Sequence, residues 1–173
     1  MNINIRPAKT ADAPAINALL LQIVQVHHAI RPDIFHPQYK NESADYGTQD
    51  ADAPIFVAVN ENECVVGCLW CLISRERSNS LKIDRDWLCI DDICVDEKHR
   101  GYGIGRKLVD FAVILAQEKG LDRIQLNVYD DNRGAVQFYE KIGFTTQKRV
   151  MEISVPNSKQ FDKLTDEERR ARI

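Results

Sequence analysis

Apolar residues fall into blocks whose spacing switches between two and three to four along the chain. Ile3 and Ile5 alternate with Asn2, Asn4 and Arg6, which predicts a short half-buried strand ended by Pro7. Thr10 or Asp12 then suits a helix cap and Pro14 a first turn, and Ile16, Leu19, Leu20, Ile23 and Val24 recur on one helical stripe. From His27 to Pro54 the pattern fades into a polar, acidic, turn-rich stretch, read as a long surface excursion. Two strands, 54–59 and 64–73, flank the turn Asn60-Glu61-Asn62-Glu63 and predict a hairpin. After a charged connection, residues 87–95 form a strand interrupted by the adjacent acids Asp91 and Asp92.

A helix over 103–119 follows, with Ile104, Leu108, Phe111, Ala112 and Leu115 inward and Gly120 just past its end. Residues 123–129 alternate as a strand, so strand, helix and strand predict a crossover with parallel strands. Asn132 opens another helix carrying Ala135, Phe138, Tyr139 and Ile142 on one side and stopped by Gly143. A last strand is expected after Phe144, chiefly over 150–155, and residues 159–173 read as a charged tail or terminal helix appended to a domain over 1–158.

Composition narrows the class. The 173 residues are 44% hydrophobic and 28% charged with 8 Gly and 6 Pro, which excludes disordered, collagen-like and coiled-coil chains. The net charge of −3 argues against a nucleic-acid binder. No apolar run reads as a membrane span and the first residues lack a signal-peptide pattern, so no membrane partner and a cytoplasmic location are expected. Five cysteines, an odd number, are read as reduced thiols. Cys64, Cys68 and Cys71 do not share one strand face, so no metal site is expected.

The chemistry concentrates in Val95-Asp96-Glu97-Lys98-His99-Arg100-Gly101-Tyr102-Gly103-Ile104-Gly105-Arg106, a strand end passing through glycines into a helix start. Residues without Cβ let a ligand approach the backbone, and amides at a helix N-terminus favour an anion, so a pyrophosphate would fit. The spacing is neither that of a dinucleotide fingerprint nor that of a P-loop. Arg100-Gly101-Tyr102-Gly103-Ile104-Gly105 resembles the Arg/Gln-x-x-Gly-x-Gly/Ala acetyl-CoA signature of the GNAT superfamily of N-acetyltransferases. Asn132-Arg133-Gly134-Ala135-Val136-Gln137-Phe138-Tyr139-Glu140-Lys141-Ile142-Gly143-Phe144 resembles a second signature of that family.

The resemblance implies an α/β fold: a mixed, mostly antiparallel twisted sheet of about six or seven strands, splayed at its fourth and fifth, flanked by about four helices. It implies acetyl-CoA as co-substrate, with backbone groups of Ile93 and Val95 pairing with the pantetheine arm. Amides from Arg100, Gly101, Tyr102, Gly103, Ile104, Gly105 and Arg106 would take the pyrophosphate, and Asn132 would hold the cofactor arm. Tyr139 would sit near the sulfur and protonate the departing thiolate, and the Val95 amide would face the carbonyl oxygen. An alkylamine is mostly protonated at neutral pH, so a carboxylate must take its proton, directly or through water. Asp91 and Asp92 are the candidates; in relatives with paired acids here, such as polyamine acetyltransferases, those acids bind the amine or relay its proton.

A regular strand points these two acids to opposite faces. Asp91 shares the face of Ile93 and Val95 and is therefore the expected base, a choice that a bulge would reverse. His99 reads as a solvated loop residue, and Cys94 has no local His or Lys to activate it as an acyl carrier. His27, His28 and His36 either line an acceptor pocket or lie on the surface, and Asn127 either reaches the acceptor or faces solvent. Glu42, Asp45, Asp50 and Asp52 fit a cationic acceptor as well as a solvated face. The reading is direct acetyl transfer to a primary amine of a small molecule or peptide, in a chain for which the resemblance allows a homodimer. Its rivals are a non-catalytic CoA-binding sensor or interaction module, and an enzyme acting on protein N-termini or lysines.

Overall fold

The computed structural model describes residues 2–38, 46, 50–153 and 155. Its first unit, residues 1–142, is built on a five-stranded sheet in the order β1-β2-β3-β4-β5. The strands are β1 (Asn4–Pro7), β2 (Ile55–Val59), β3 (Val65–Glu76), β4 (Arg85–Val95) and β5 (Ile124–Leu126). Neighbours are antiparallel except for the parallel pair β4 and β5, joined through α2 (Ile104–Glu118) as the crossover pattern requires. The other helices are α1 (Ala13–Ile30) and α3 (Arg133–Lys141), with short 3-10 turns at Thr10–Asp12 and Glu97–His99.

β2 shows why its sequence is a continuous apolar run instead of an alternating one. All five residues are buried, because both faces of the strand are covered. Ile55, Val57 and Val59 pack with Ile16 and Leu20 of α1, while the Phe56 ring meets Phe111 of α2 edge-on at 4.7 Å. α2 buries Ile104, Leu108, Val109, Ala112, Leu115 and Ala116, close to the predicted stripe. Gly120 ends it in the left-handed region, φ 70°, its amide donating to Gln117 O at 3.0 Å while Leu121 N reaches Ala116 O at 2.9 Å.

α1 begins differently from the expected cap. Asp12 makes no side-chain cap; its carboxylate accepts from the Lys9 amide at 2.8 Å and from Arg6 at 2.7 and 3.0 Å, tying the helix entry to β1. Ala13–Ile30 holds no charged residue, so Thr10–Ile30 passes by length and composition as a membrane span, an apolar stretch the sequence reading did not single out. Ile16, Leu19 and Leu20 are instead buried in the cores beneath the helix.

Among the described residues there are five strands and three helices, fewer than the expected six or seven and four. The strand expected over 123–129 shrinks to Ile124–Leu126, and the strand expected over 150–155 is not formed by the described residues of that segment. In the second unit, residues 143–173, the described residues hold no helix or strand. The tail over 159–173 lies outside the described residues, as do Glu42 and Asp45 of the excursion.

Candidate active site

β4 carries an irregularity where the two acids sit. Trp70 pairs with Asp92 and Cys71 with Ile90, so Asp91 is an extra residue in a bulge with no partner opposite. The alternation therefore resets. Cys68 and Cys94 pack beneath Leu19 of α1, and their register neighbours Trp70 and Asp92 take the same side. Ile93 and Val95 take the α2 side, where a Val95 methyl lies near Gly105. The expectation that Asp91 is the inward acid is thus reversed: Asp91 is exposed, and Asp92 is half-buried on the α1 side.

Beside this bulge the sheet opens. β4 and β5 pair only over Leu88–Ile90 and Ile124–Leu126, leaving Asp91 to Val95 without a ladder on that edge among the described residues. The Asp96 amide donates to Val66 O across β3, at 3.0 Å. Strand alternation then turns the N–H groups of Ile93 and Val95 to the open edge, as an added extended chain would need.

The glycine turn follows directly. Gly101 and Gly103 have φ 82° and 78°, where an L side chain is strained, and they carry the chain from β4 into α2. The first-turn amides of a helix have no carbonyl four residues back. Among the described residues the first to find one is that of Lys107, donating to Gly103 O at 3.1 Å. The amides of Gly101 through Arg106 therefore remain for an anion, which fits a pyrophosphate. Arg100 enters differently from its six neighbours. Its amide donates to Glu97 O at 3.4 Å, and its Nε donates to Val95 O at 3.1 Å, bracing the strand end. Gln22 of α1 completes this brace, donating to Asp96 Oδ1 at 3.1 Å and accepting the Glu97 amide at 3.1 Å. His99 pairs with Asp96 at 2.7 Å and so belongs to the same support.

α3 brings Tyr139 to the acid. Burial, then the charges of Asp92 and Cys94, push the phenol up to about 12, so it stays protonated at neutral pH. Burial, with Asp91 adding to it, lifts the Asp92 carboxyl to about 6. Cys94 is raised to about 11, chiefly by burial, and its thiol donates to Leu19 O at 3.4 Å, a setting unsuited to a nucleophile. α3 is held close because Gly105 lacks a Cβ, which would come within 3.2 Å of the Phe138 ring. Asn132 caps α3, its carbonyl oxygen accepting from Ala135 N at 3.3 Å, so the cap uses the oxygen and not the NH2.

Sequence reasoning missed an aromatic cluster. The rings of His27, Phe35 and Tyr129 lie 4.8 to 5.8 Å apart, linking the end of α1 to the chain leaving β5. Burial lowers the His27 pKa, and His28 Nδ1 lies 2.7 Å from Phe35 O, whereas His36 and Asn127 are exposed. Asp52 pairs with Arg75 at 2.7 Å, a structural use of one excursion acid. Among the described residues no group of three or more His, Cys, Asp or Glu could hold a metal, and all five cysteines are free.

A half-open parallel pair, a glycine turn at a helix start and a half-buried acid beside a phenol meet on one sheet edge. The chain belongs to the acetyltransferase (GNAT) family, whose profile matches residues 20–144, and it is an N-acetyltransferase. It is 31% identical over 150 residues to the peptidyl-lysine N-acetyltransferase YjaB of Escherichia coli K12, covering 86% of each chain. It is also 32% identical over 85 residues to N-alpha-acetyltransferase 30 of Saccharomyces cerevisiae, covering 49% of this chain and 46% of that one. Among solved structures, a mutant form of the BH1408 protein from Bacillus halodurans superposes with a TM-score of 0.81 at 28% identity, covering 88% of this chain and 99% of that one.

Proposed function

We propose that the protein transfers an acetyl group from acetyl-CoA directly to a primary alkylamine, with the lysine side chain of a peptide as the acceptor class. The observation that carries this reading is the convergence of Asp92 and Tyr139 beside the unpaired edge of β4. The likeness to a peptidyl-lysine acetyltransferase over 86% of each chain supports the acceptor. Acetyl-CoA supplies the activated thioester. Amides of Gly101 to Arg106 hold its pyrophosphate, the Asn132 NH2 holds its arm, and the N–H groups of Ile93 and Val95 align the pantetheine as an extra strand.

Asp92, ionised above about pH 6, takes the proton of the acceptor ammonium, directly or through water. The freed amine forms a C–N bond to the thioester carbon while the Val95 amide faces the developing oxyanion. As the C–S bond breaks, Tyr139 gives its phenolic proton to the thiolate, leaving CoA as the free thiol, and the phenolate recovers a proton, through water, from the nitrogen as it becomes the neutral amide, while Asp92 passes its proton to solvent. No covalent acyl-enzyme is formed. The cytoplasm is the compartment we assign, since five free thiols suit a reducing setting.

Tyr139→Phe tests the reading. With acetyl-CoA and a lysine peptide, thiol release should fall by roughly 10² while CoA affinity by calorimetry holds. An unchanged rate removes Tyr139 from the mechanism; CoA binding with no release of thiol in the wild type would mark a sensor.

A further inference from the structure

β3 places a second polar group on the sheet face that carries Asp92. Trp70 stands directly opposite Asp92 in the antiparallel register, and such cross-strand neighbours have Cβ atoms about 4.5–5.5 Å apart on one side of the sheet. The indole packs against the core under α1, edge-on to the Tyr46 ring at 6.2 Å. Its Nε1–H is buried and has no acceptor among the described residues. A buried donor left unsatisfied costs about 1–3 kcal/mol, which is why native folds supply nearly every one with a protein or water partner. Asp92 has the complementary need. Burial and the charge of Asp91 raise its carboxyl, and no hydrogen bond from the described residues holds its ionised form.

We propose that Trp70 is a positioning residue for the base: its Nε1–H holds a water molecule against the Asp92 carboxylate, and this water carries the proton from the acceptor ammonium to Asp92. The proposal rests on Asp92 as the base of the reaction above. One water meets both needs, accepting from the indole, donating to the carboxylate and offering its other lone pair to the ammonium, the three hydrogen bonds typical of a buried water. The ammonium proton passes to the water oxygen as a water proton passes to Asp92, so the water is regenerated and the amine is left neutral. The titratable neighbours of Asp92 among the described residues are Asp91 and Cys94 on β4, Cys68 on β3 and Tyr139 on α3. Burial keeps both thiols and the phenol protonated near neutral pH. α1 above them carries no Asp, Glu, Lys or Arg, and its histidines, His27 and His28, meet Phe35 beyond its end.

Rate profiles against pH for the wild type, Trp70→Phe and a chain with benzothiophene in place of the Trp70 indole test this. Benzothiophene keeps the ring shape and puts sulfur where the N–H stands, so it removes the donor without disturbing packing. In both variants kcat should fall roughly tenfold with KM for acetyl-CoA unchanged, and the acid limb of kcat/KM should move up by roughly half a pH unit as the ionised carboxylate loses its hydrogen-bonded water. A packing role alone would lower the urea midpoint of Trp70→Phe and leave the limb in place. An acid limb at the wild-type position, or an undiminished kcat, in the benzothiophene chain overturns the proposal and leaves Asp92 as the base. A limb that survives in Asp92→Asn overturns both.

Discussion

Asp91 and Asp92 are adjacent and chemically alike, yet the bulge in β4 leaves the first in solvent and turns the second under α1. Burial raises the Asp92 carboxyl to about 6 from an ordinary 3.8, so the folded state holds this proton more tightly than the unfolded chain. The folded protein therefore loses stability as pH rises from about 4 to about 6, and activity rises over the upper part of that range as the base ionises. Asp92→Asn should cost about 10² in kcat, remove the acid limb of the kcat/KM profile, and stabilise the fold at pH 8 by roughly 1–3 kcal/mol. Rate profiles and urea melts at pH 8 check both halves, and Asp91→Asn should leave the limb in place. At this scale the residue types were legible, because a thioester aminolysis needs an acid and a base. Which carboxylate the fold takes out of solvent was not, because the bulge is a relation between β3 and β4.

At the scale of elements, the close approach of strands and helices rests on a few positions without a side chain. A Cβ at Gly67 of β3 would stand 2.9 Å from the Cys94 carbonyl oxygen, a backbone atom that cannot rotate away. Gly67→Ala should therefore force β3 from β4 and destabilise by about 1–3 kcal/mol, read as a lower urea midpoint, with acetyl-CoA affinity falling as the β4 edge moves. The helices were readable because caps and periodicity are local: Gly120 and the stripe from Ile104 to Leu115 end and orient α2 within its own sequence. β5 was overread, since Asn127 and Val128 continue its pattern but leave β4 where the sheet opens. The 150–155 stretch carries a strand pattern for the same reason, without an edge specified to receive it.

For the molecule as a whole, the pH response combines oppositely shifted groups. The Arg6 hydrogen bonds hold Asp12 below the usual carboxylate range against the opposing effect of burial, with the Lys9 amide adding to them. A depressed folded value adds stability that is present above about pH 4 and is lost as pH falls through the folded value. With Asp92 acting in the opposite sense from about pH 4 to about 6, these two groups together favour the fold most near pH 4. Asp12→Asn should cost about 3 kcal/mol at pH 7, because it leaves Arg6 uncompensated at the entry to α1, and should flatten the acid limb of a stability-against-pH curve from denaturant melts. The exposed pairs, such as Arg106 with Asp110, are screened by salt and add little to that curve.

The sequence by itself determined what depends on near neighbours: where helices start and stop, which glycines permit the left-handed turn at 101 and 103, and that a phenol, an acid and a row of bare amides occur in one chain. Tertiary structure alone decided that Asp92 and not Asp91 lies beside Tyr139, that Arg100 braces Val95, and that, among the described residues, β4 has no ladder on its β5 edge beyond Ile90. The reason is that strand register, burial and an open edge are properties of two segments at once, set by how distant parts of the chain pack, and no single stretch of sequence encodes them.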